Sequence, residues 1–228
     1  MCQCQSCPHA GKHAFCSLGQ ESRAFLESNS IGMEYPRGRV LFREGDRSHA
    51  VFVLCSGKVK ISTSSKDGRI MILRIADAGD VLGMSSALTN GEHEVTAEVL
   101  EPCRVRLLSL KNLTNMLQQC GDASMGAAKA LAEDYRAAFD GARLMAFPGS
   151  PAGRLAQLIL NWATDSKKNS SAFITMPLTH EELASMTATT RETVTRTLSR
   201  FRKEKIIAIK GVALTVLQPR ALEHLSAR

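Results

Sequence analysis

The 228-residue chain carries 29 lysine and arginine against 22 aspartate and glutamate residues, a formal net charge of +7, and 44% of it is hydrophobic. That is enough for one large domain or two modest ones whose cores need no disulfide staples. No run of 18 apolar residues occurs and the N-terminus has no basic start followed by an apolar stretch, so a cytoplasmic protein with no membrane partner is expected, while the basic excess suits a polyanion.

Four of the seven cysteines, Cys2, Cys4, Cys7 and Cys16, fall within the first 16 residues. In a reducing compartment such crowding points to metal binding or redox chemistry before a disulfide framework. Residues 1–18 have no hydrophobic periodicity and read as a Cys/His-rich tail. Leu18, Phe25 and Leu26 then give a short helix over about 20–31. From 32 to 110 short β-rich runs follow at 39–42, 50–54, 58–62, 70–75, 95–100 and 104–108. The expected turns lie at Gly38, Gly45, Ser56-Gly57, Asp67-Gly68 and Gly79-Asp80, a spacing that predicts an antiparallel sandwich or roll.

Near Asn112 the pattern turns helical and continues to about Met145. Ser124, Ala127, Ala128, Leu131, Tyr135, Ala138, Ala142 and Met145 recur every three or four residues, as a helix seam requires. A helix packed on its own domain explains part of this. Small alanines beside Leu131 and Tyr135 favour a dimer interface formed by Leu131, Tyr135, Ala138, Ala142 and Met145. Two prolines and a glycine in 147–151 mark a hinge. An amphipathic helix over 152–165 (Leu155, Leu158, Ile159, Trp162) and a polar loop to 171 follow.

The segment 178–205 carries the strongest signal. Thr179 with Glu182, and Thr189 with Glu192, each have the spacing of a capping box, so two capped helices stand a few residues apart as a helix-turn-helix. On the second helix Val194, Leu198 and Phe201 share one face, leaving Arg191, Glu192, Thr195 and Arg196 toward the other. Arginine can bond guanine bidentately and a carboxylate can accept from the cytosine amine, so double-stranded DNA is the implied partner. A solvated charged helix accounts for Arg200, Arg202, Lys203 and Lys205, but not for this base-reading set placed directly after a cap. Thr190, Arg200 and Lys210 complete the candidate DNA surface, Lys210-Gly211 forming the tip of a two-stranded wing over 206–216.

Several ordered motifs resemble the cyclic-AMP receptor/fumarate-nitrate regulator (CRP/FNR) superfamily: Gly38-x-x-Leu41-Phe42-x-x-Gly45-Asp46, Ser56-Gly57-x-Val59, Asp67-Gly68, Gly79-Asp80-x-x-Gly83 and Arg191-Glu-Thr-Val-x-Arg196. The resemblance implies an α+β chain: an N-terminal antiparallel β-roll of cupin-like jelly-roll type, a long dimerisation helix and a C-terminal winged helix-turn-helix. The expected divisions are 1–18, 19–120, 121–147 and 148–228. It further implies a homodimer on an inverted-repeat operator, RNA polymerase as a partner, and base reading by Arg191, Glu192 and Arg196. Ala188 stands where the family usually has the turn glycine, at a steric cost of about 1 kcal/mol.

Family members that bind cyclic nucleotides have a Glu just after the glycine matching Gly83 and an Arg-Ser pair about eleven residues on. Here Met84, Glu94 and Val95 occupy those positions. A carboxylate repels a cyclic phosphate, so binding in that mode is not expected. Cys4-x-x-Cys7-Pro, Phe15-Cys16-x-Leu18 and Leu100-Glu-Pro-Cys103 resemble instead a Cys-tailed subgroup, which implies a 4Fe-4S cluster on Cys4, Cys7, Cys16 and Cys103 that reports oxygen, nitric oxide or redox state. Open alternatives are zinc on a Cys/His set including Cys2, His9 or His13, a thiol-disulfide switch, unligated thiols in a disordered tail, or haem or another small ligand in the roll. Cys55 and Cys120 read as core or surface residues. An enzyme using a cysteine nucleophile with His9 or His13 is not expected, since an aperiodic tail offers no fixed nucleophile-base geometry.

Overall fold

The computed structural model describes residues 14–146, 149–168, 174–175 and 178–227. Contacts divide the chain into two compact units between Phe139 and Asp140.

The first unit opens with a 3-10 turn at Ala14–Cys16 and helix α1 at Gln20–Asn29, followed by strands β1 (Ile31–Tyr35), β2 (Val40–Phe42), β3 (Ala50–Ser64), β4 (Ile70–Ala76) and β5 (Val81–Leu82). Helix α2 (Met84–Thr89), strand β6 (Thr96–Ser109) and helix α3 (Leu110–Gln119) follow, and α4 (Gly121–Ala146) runs across the boundary between the units. The sheet order is β1-β6-β3-β4, with β2 also on β6 and β5 also on β3, all antiparallel.

Two pairs of expected strands are continuous. Runs 50–54 and 58–62 both belong to β3, and 95–100 and 104–108 both belong to β6. The expected turn at Ser56-Gly57 is a set of register shifts in the β3–β6 ladder. Gly57 takes φ +88°, and a Cβ there would lie 2.5 Å from the Pro102 carbonyl oxygen and 2.7 Å from Cys103 Cβ, so the bend needs both the freedom and the smallness of glycine.

Two apolar cores result. One fills the roll with Phe42, Phe52, Leu54, Val59, Val99 and Val105. The other seats the helices on the roll through Leu26, Val51, Met84, Leu108, Leu113 and Met116. The expected tail does not extend to 18, because Phe15 and Leu18 are already buried in this second core.

The helix expected over 112–145 is interrupted at Cys120, whose backbone is extended. Beyond it the Asp122 carboxylate accepts from the Gly19 amide at 2.7 Å and from the Ser22 hydroxyl, fixing the start of α4 to α1. Helix α4 buries Ala123, Ala127 and Ala130. Its partly buried Asp134 is tied to the sheet: Arg74 on β4 donates at 2.7 Å to Asp80 and at 2.6 Å to Asp134. Withdrawal from water raises the Asp134 carboxyl above its ordinary range, and the Arg74 charge opposes that shift.

The second unit holds α5 (Pro151–Lys168), β7 (Ile174–Thr175), α6 (His180–Met186), α7 (Arg191–Lys203), β8 (Ile207–Lys210), β9 (Ala213–Val216) and α8 (Pro219–Ser226), its sheet ordered β7-β9-β8. Helix α5 runs three residues into the loop expected from 165. Leu155, Ile159, Leu183, Phe201, Ile207, Leu214 and Leu222 are fully buried. Helix α8, which has no counterpart among the expected elements, lies so close to α5 that a Cβ on Gly153 would meet the Leu225 carbonyl at 2.8 Å. Among the described residues no helix is long and apolar enough to cross a membrane.

Candidate DNA-binding interface

Helix α6 begins with the capping box read from the sequence: the Glu182 amide donates to the Thr179 hydroxyl at 3.2 Å, and the Thr179 amide donates to the Glu182 carboxylate at 2.9 Å. The second cap is displaced by one residue. Thr190, not Thr189, is the N-cap of α7 and accepts from the Thr193 amide at 3.3 Å. The turn between the helices places Ala188 at φ +46°, the left-handed conformation anticipated there.

Val194, Leu198 and Phe201 are buried, as expected, and Thr197 joins them. Arg191, Glu192, Thr195, Arg196 and Arg200 are all exposed, so the structure brings the proposed reading residues onto one open helix surface. Glu192's own backbone amide, then the Thr190 hydroxyl and the Arg191 charge, hold the Glu192 carboxyl below its usual range. Thr195 donates to the Arg191 carbonyl at 2.9 Å and lies 2.8 Å from His180 Nδ1, a link between α6 and α7 missed in the sequence because His180 offered no pattern of its own. Lys210 is exposed at the end of β8, and Gly211 beside it has φ +61°.

Helix α4 carries an open face of its own. Tyr135 is 72% exposed, Phe139 51% and Met125 59%, and the Tyr135 and Phe139 rings lie 6.2 Å apart. Ala138 and Ala142 are exposed, while Leu131 is half-buried against the helical core. The Met145 side chain lies outside the described residues.

The positions that cyclic-nucleotide binders of the resembled family use for the ligand have other surroundings here. Met84 is fully buried, and Glu94 accepts from the Ser85 hydroxyl at 3.0 Å. Val95 packs half-buried against the roll core. His93, just before Glu94, is 5% exposed, stacks on Phe42 at 3.9 Å and meets Ser86 Oγ through Nδ1 at 2.8 Å. Burial pushes its pKa down.

Of the expected metal ligands, Cys4 and Cys7 lie outside the described residues, as do Cys2, His9 and His13. Cys16 is half-buried in the 3-10 turn. Cys103 is 2% exposed inside the roll core, opposite Tyr35 on β1, and burial raises its thiol. Cys55 and Cys120 are half-buried. Among the described residues no three His, Cys, Asp or Glu side chains gather as a metal site.

Comparison with known proteins agrees with this layout. A cyclic nucleotide-binding domain model matches residues 33–120, and a Crp-like helix-turn-helix domain model matches residues 153–225. The CRP-like cAMP-activated global transcriptional regulator of Mycobacterium tuberculosis is 27% identical over 187 residues, covering 81% of this chain and 83% of that protein. The anaerobic regulatory protein of Bacillus subtilis is 27% identical over 197 residues, covering 86% and 83%. The structure of FixK2 from Bradyrhizobium japonicum superposes with a TM-score of 0.77 at 21% identity, over 87% of this chain and 98% of that one, a likeness of fold.

Proposed function

On the premise that the chain belongs to the CRP/FNR family of transcription regulators, we propose that it acts in the cytoplasm as a homodimer which reads an inverted-repeat operator and engages RNA polymerase. The observation that carries this is the exposed row of Arg191, Glu192, Thr195 and Arg196 on the Thr190-capped α7, with α6 packed behind it. The dimer places two such helices about one DNA turn, roughly 34 Å, apart, on half-sites like TGTGA. The open apolar face of α4 around Tyr135, Ala138, Phe139 and Ala142 supports pairing there. Operator selection from random duplexes tests this reading. Arg196→Ala relaxes the base preference at its guanine at a cost of about 1 to 3 kcal/mol, and unchanged sequence preference in that variant refutes the assignment.

The signal we assign to the cysteine tail, through a 4Fe-4S cluster that reports oxygen, nitric oxide or redox state. Support comes from the Cys4-x-x-Cys7 pair with Cys16, three soft ligands close in sequence. Cys103 fits less well as the fourth. Its sulfur sits in an apolar core that favours the protonated thiol over the thiolate a metal needs. Iron and sulfide analysis of anaerobic protein decides: about four irons per chain, lost in Cys4→Ser, Cys7→Ser and Cys16→Ser, supports the cluster, with Cys103→Ser and Cys2→Ser separating the candidates for the fourth ligand. Iron-free protein turns attention to zinc, a thiol switch or haem in the roll. Cyclic nucleotides are not the signal in this reading, although named relatives are cAMP-activated, because Met84, Glu94 and Val95 stand where cyclic-nucleotide binders carry a Glu and an Arg-Ser pair, and a carboxylate repels the phosphate. Micromolar binding of cyclic AMP in calorimetry, coupled to operator affinity, overturns that part.

A further inference from the structure

The polar side of α5 carries an arginine that DNA reading by α7 does not itself explain. Arg154 donates through Nε to the Thr187 carbonyl at 2.7 Å, through Nη2 to the Ala188 carbonyl at 3.0 Å, and through Nη1 to the Gly149 carbonyl at 2.7 Å. Thr187 and Ala188 form the turn of the helix-turn-helix, and Gly149 lies in the segment that leads into α5. A single planar fork thus satisfies acceptors from two separate stretches of chain.

The turn has reason to need it. Ala188 holds φ +46°, a conformation that an alanine Cβ disfavours and a glycine does not. The Thr187 carbonyl stands at the C-terminal end of α6, where backbone acceptors lack partners in their own helix and carry the negative end of its dipole. The base of the arginine is rigid, since Leu155, Ala156 and Ile159 bury the other side of α5. The turn in turn sets where Thr190 caps α7, and so the direction from which Arg191 to Arg196 approach a groove.

We propose that Arg154 is a positioning residue for DNA reading: its guanidinium holds the alanine turn in the left-handed conformation that aims α7, and ties that turn to the Gly149 segment. This rests on α7 being the reading helix. It predicts that the arginine acts on specificity more than on general DNA attraction, and that its loss is relieved by removing the methyl group that strains the turn.

The experiment compares the full chain with Arg154→Met, Arg154→Lys, Ala188→Gly and the double variant Arg154→Met/Ala188→Gly. Operator and scrambled duplexes are titrated by fluorescence anisotropy, and melting is recorded for each protein. Arg154→Met, which keeps the aliphatic stem, weakens operator binding about tenfold or more while binding to scrambled DNA changes less than about threefold. Arg154→Lys behaves like Arg154→Met, because one ammonium cannot span three carbonyls. Ala188→Gly restores part of the operator affinity in the Arg154→Met background and changes little in the parent. Parent-like operator affinity in either Arg154 variant overturns the proposal, as does an equal effect of Ala188→Gly in both backgrounds. Should Arg154→Met fail to fold, Arg154→Lys with and without Ala188→Gly gives the same comparison. A parent protein with no operator preference overturns instead the reading on which the proposal rests.

Discussion

Removing Asp134 tests how firmly α4 is held to the roll. Arg74 donates to both Asp80 and Asp134, its side chain 22% exposed and theirs 17% and 35%. Breaking a fully buried ion pair costs about 3–5 kcal/mol, and an exposed pair about 0–1. Asp134 lies between these limits, and in Asp134→Ala the Arg74 charge retains Asp80, so the expected loss is about 2 kcal/mol. Arg74→Leu is worse, about 3 kcal/mol, because it leaves two carboxylates facing one another without a counter-charge. The double variant Arg74→Leu/Asp134→Leu is milder than the sum of its parts. The single tryptophan, Trp162, reports on the second unit, so urea unfolding of the first is followed by circular dichroism. A loss under about 0.5 kcal/mol for Asp134→Ala, or Arg74→Leu milder than Asp134→Ala, refutes the strut.

Three other measurements follow from geometry already described. Thr190→Ala costs about 1 kcal/mol of second-unit stability by Trp162 fluorescence, while Thr189→Ala stays within about 0.5 kcal/mol; the reverse order puts the cap back on Thr189. His93 is held neutral with its pKa below the unfolded value, so its contribution to stability is complete above the ordinary histidine pKa and is lost as pH falls through the folded pKa; His93→Gln removes that acid-limb slope, and parallel stability-pH curves for parent and variant contradict the assignment. Tyr135→Asp with Phe139→Asp moves the sedimentation coefficient from dimer toward monomer at micromolar concentration, and an unmoved dimer places the interface elsewhere.

The reading helix was legible because its signals are local. Capping needs particular side chains three residues apart, and Val194, Leu198 and Phe201 keep their face whatever surrounds the unit. Choosing between Thr189 and Thr190 was not possible on that basis. Both can cap, and the decision is made by the Ala188 turn and the arginine that holds it. Gly57 reads as a turn because a turn and a bulge both favour glycine at positive φ; only the opposed backbone of Pro102 and Cys103 separates them. Helical periodicity likewise runs across Cys120, and what breaks the helix is an Asp122 carboxylate engaged with Gly19 and Ser22 far up the chain. Arg154 carries no mark in the sequence, since two of its three acceptors belong to a turn more than thirty residues on.

The long β3–β6 ribbon also has a consequence for the birth of the protein. Its ladder joins Ser62 to Thr96 at the near end and Ala50 to Ser109 at the far end, so every rung closes a wide loop before it gains a contact. A chain emerging from the ribosome cannot complete this ribbon until residue 109 is free, and until then β3 presents an apolar strand with an unpaired edge. The second unit has a wait of its own, because α5 at its start packs on α8 at its end. Synthesis therefore passes through an interval in which β3 has its β4 and β5 partners but its β6 edge is still open, and translation pauses beyond β6 protect newly made chains from aggregation.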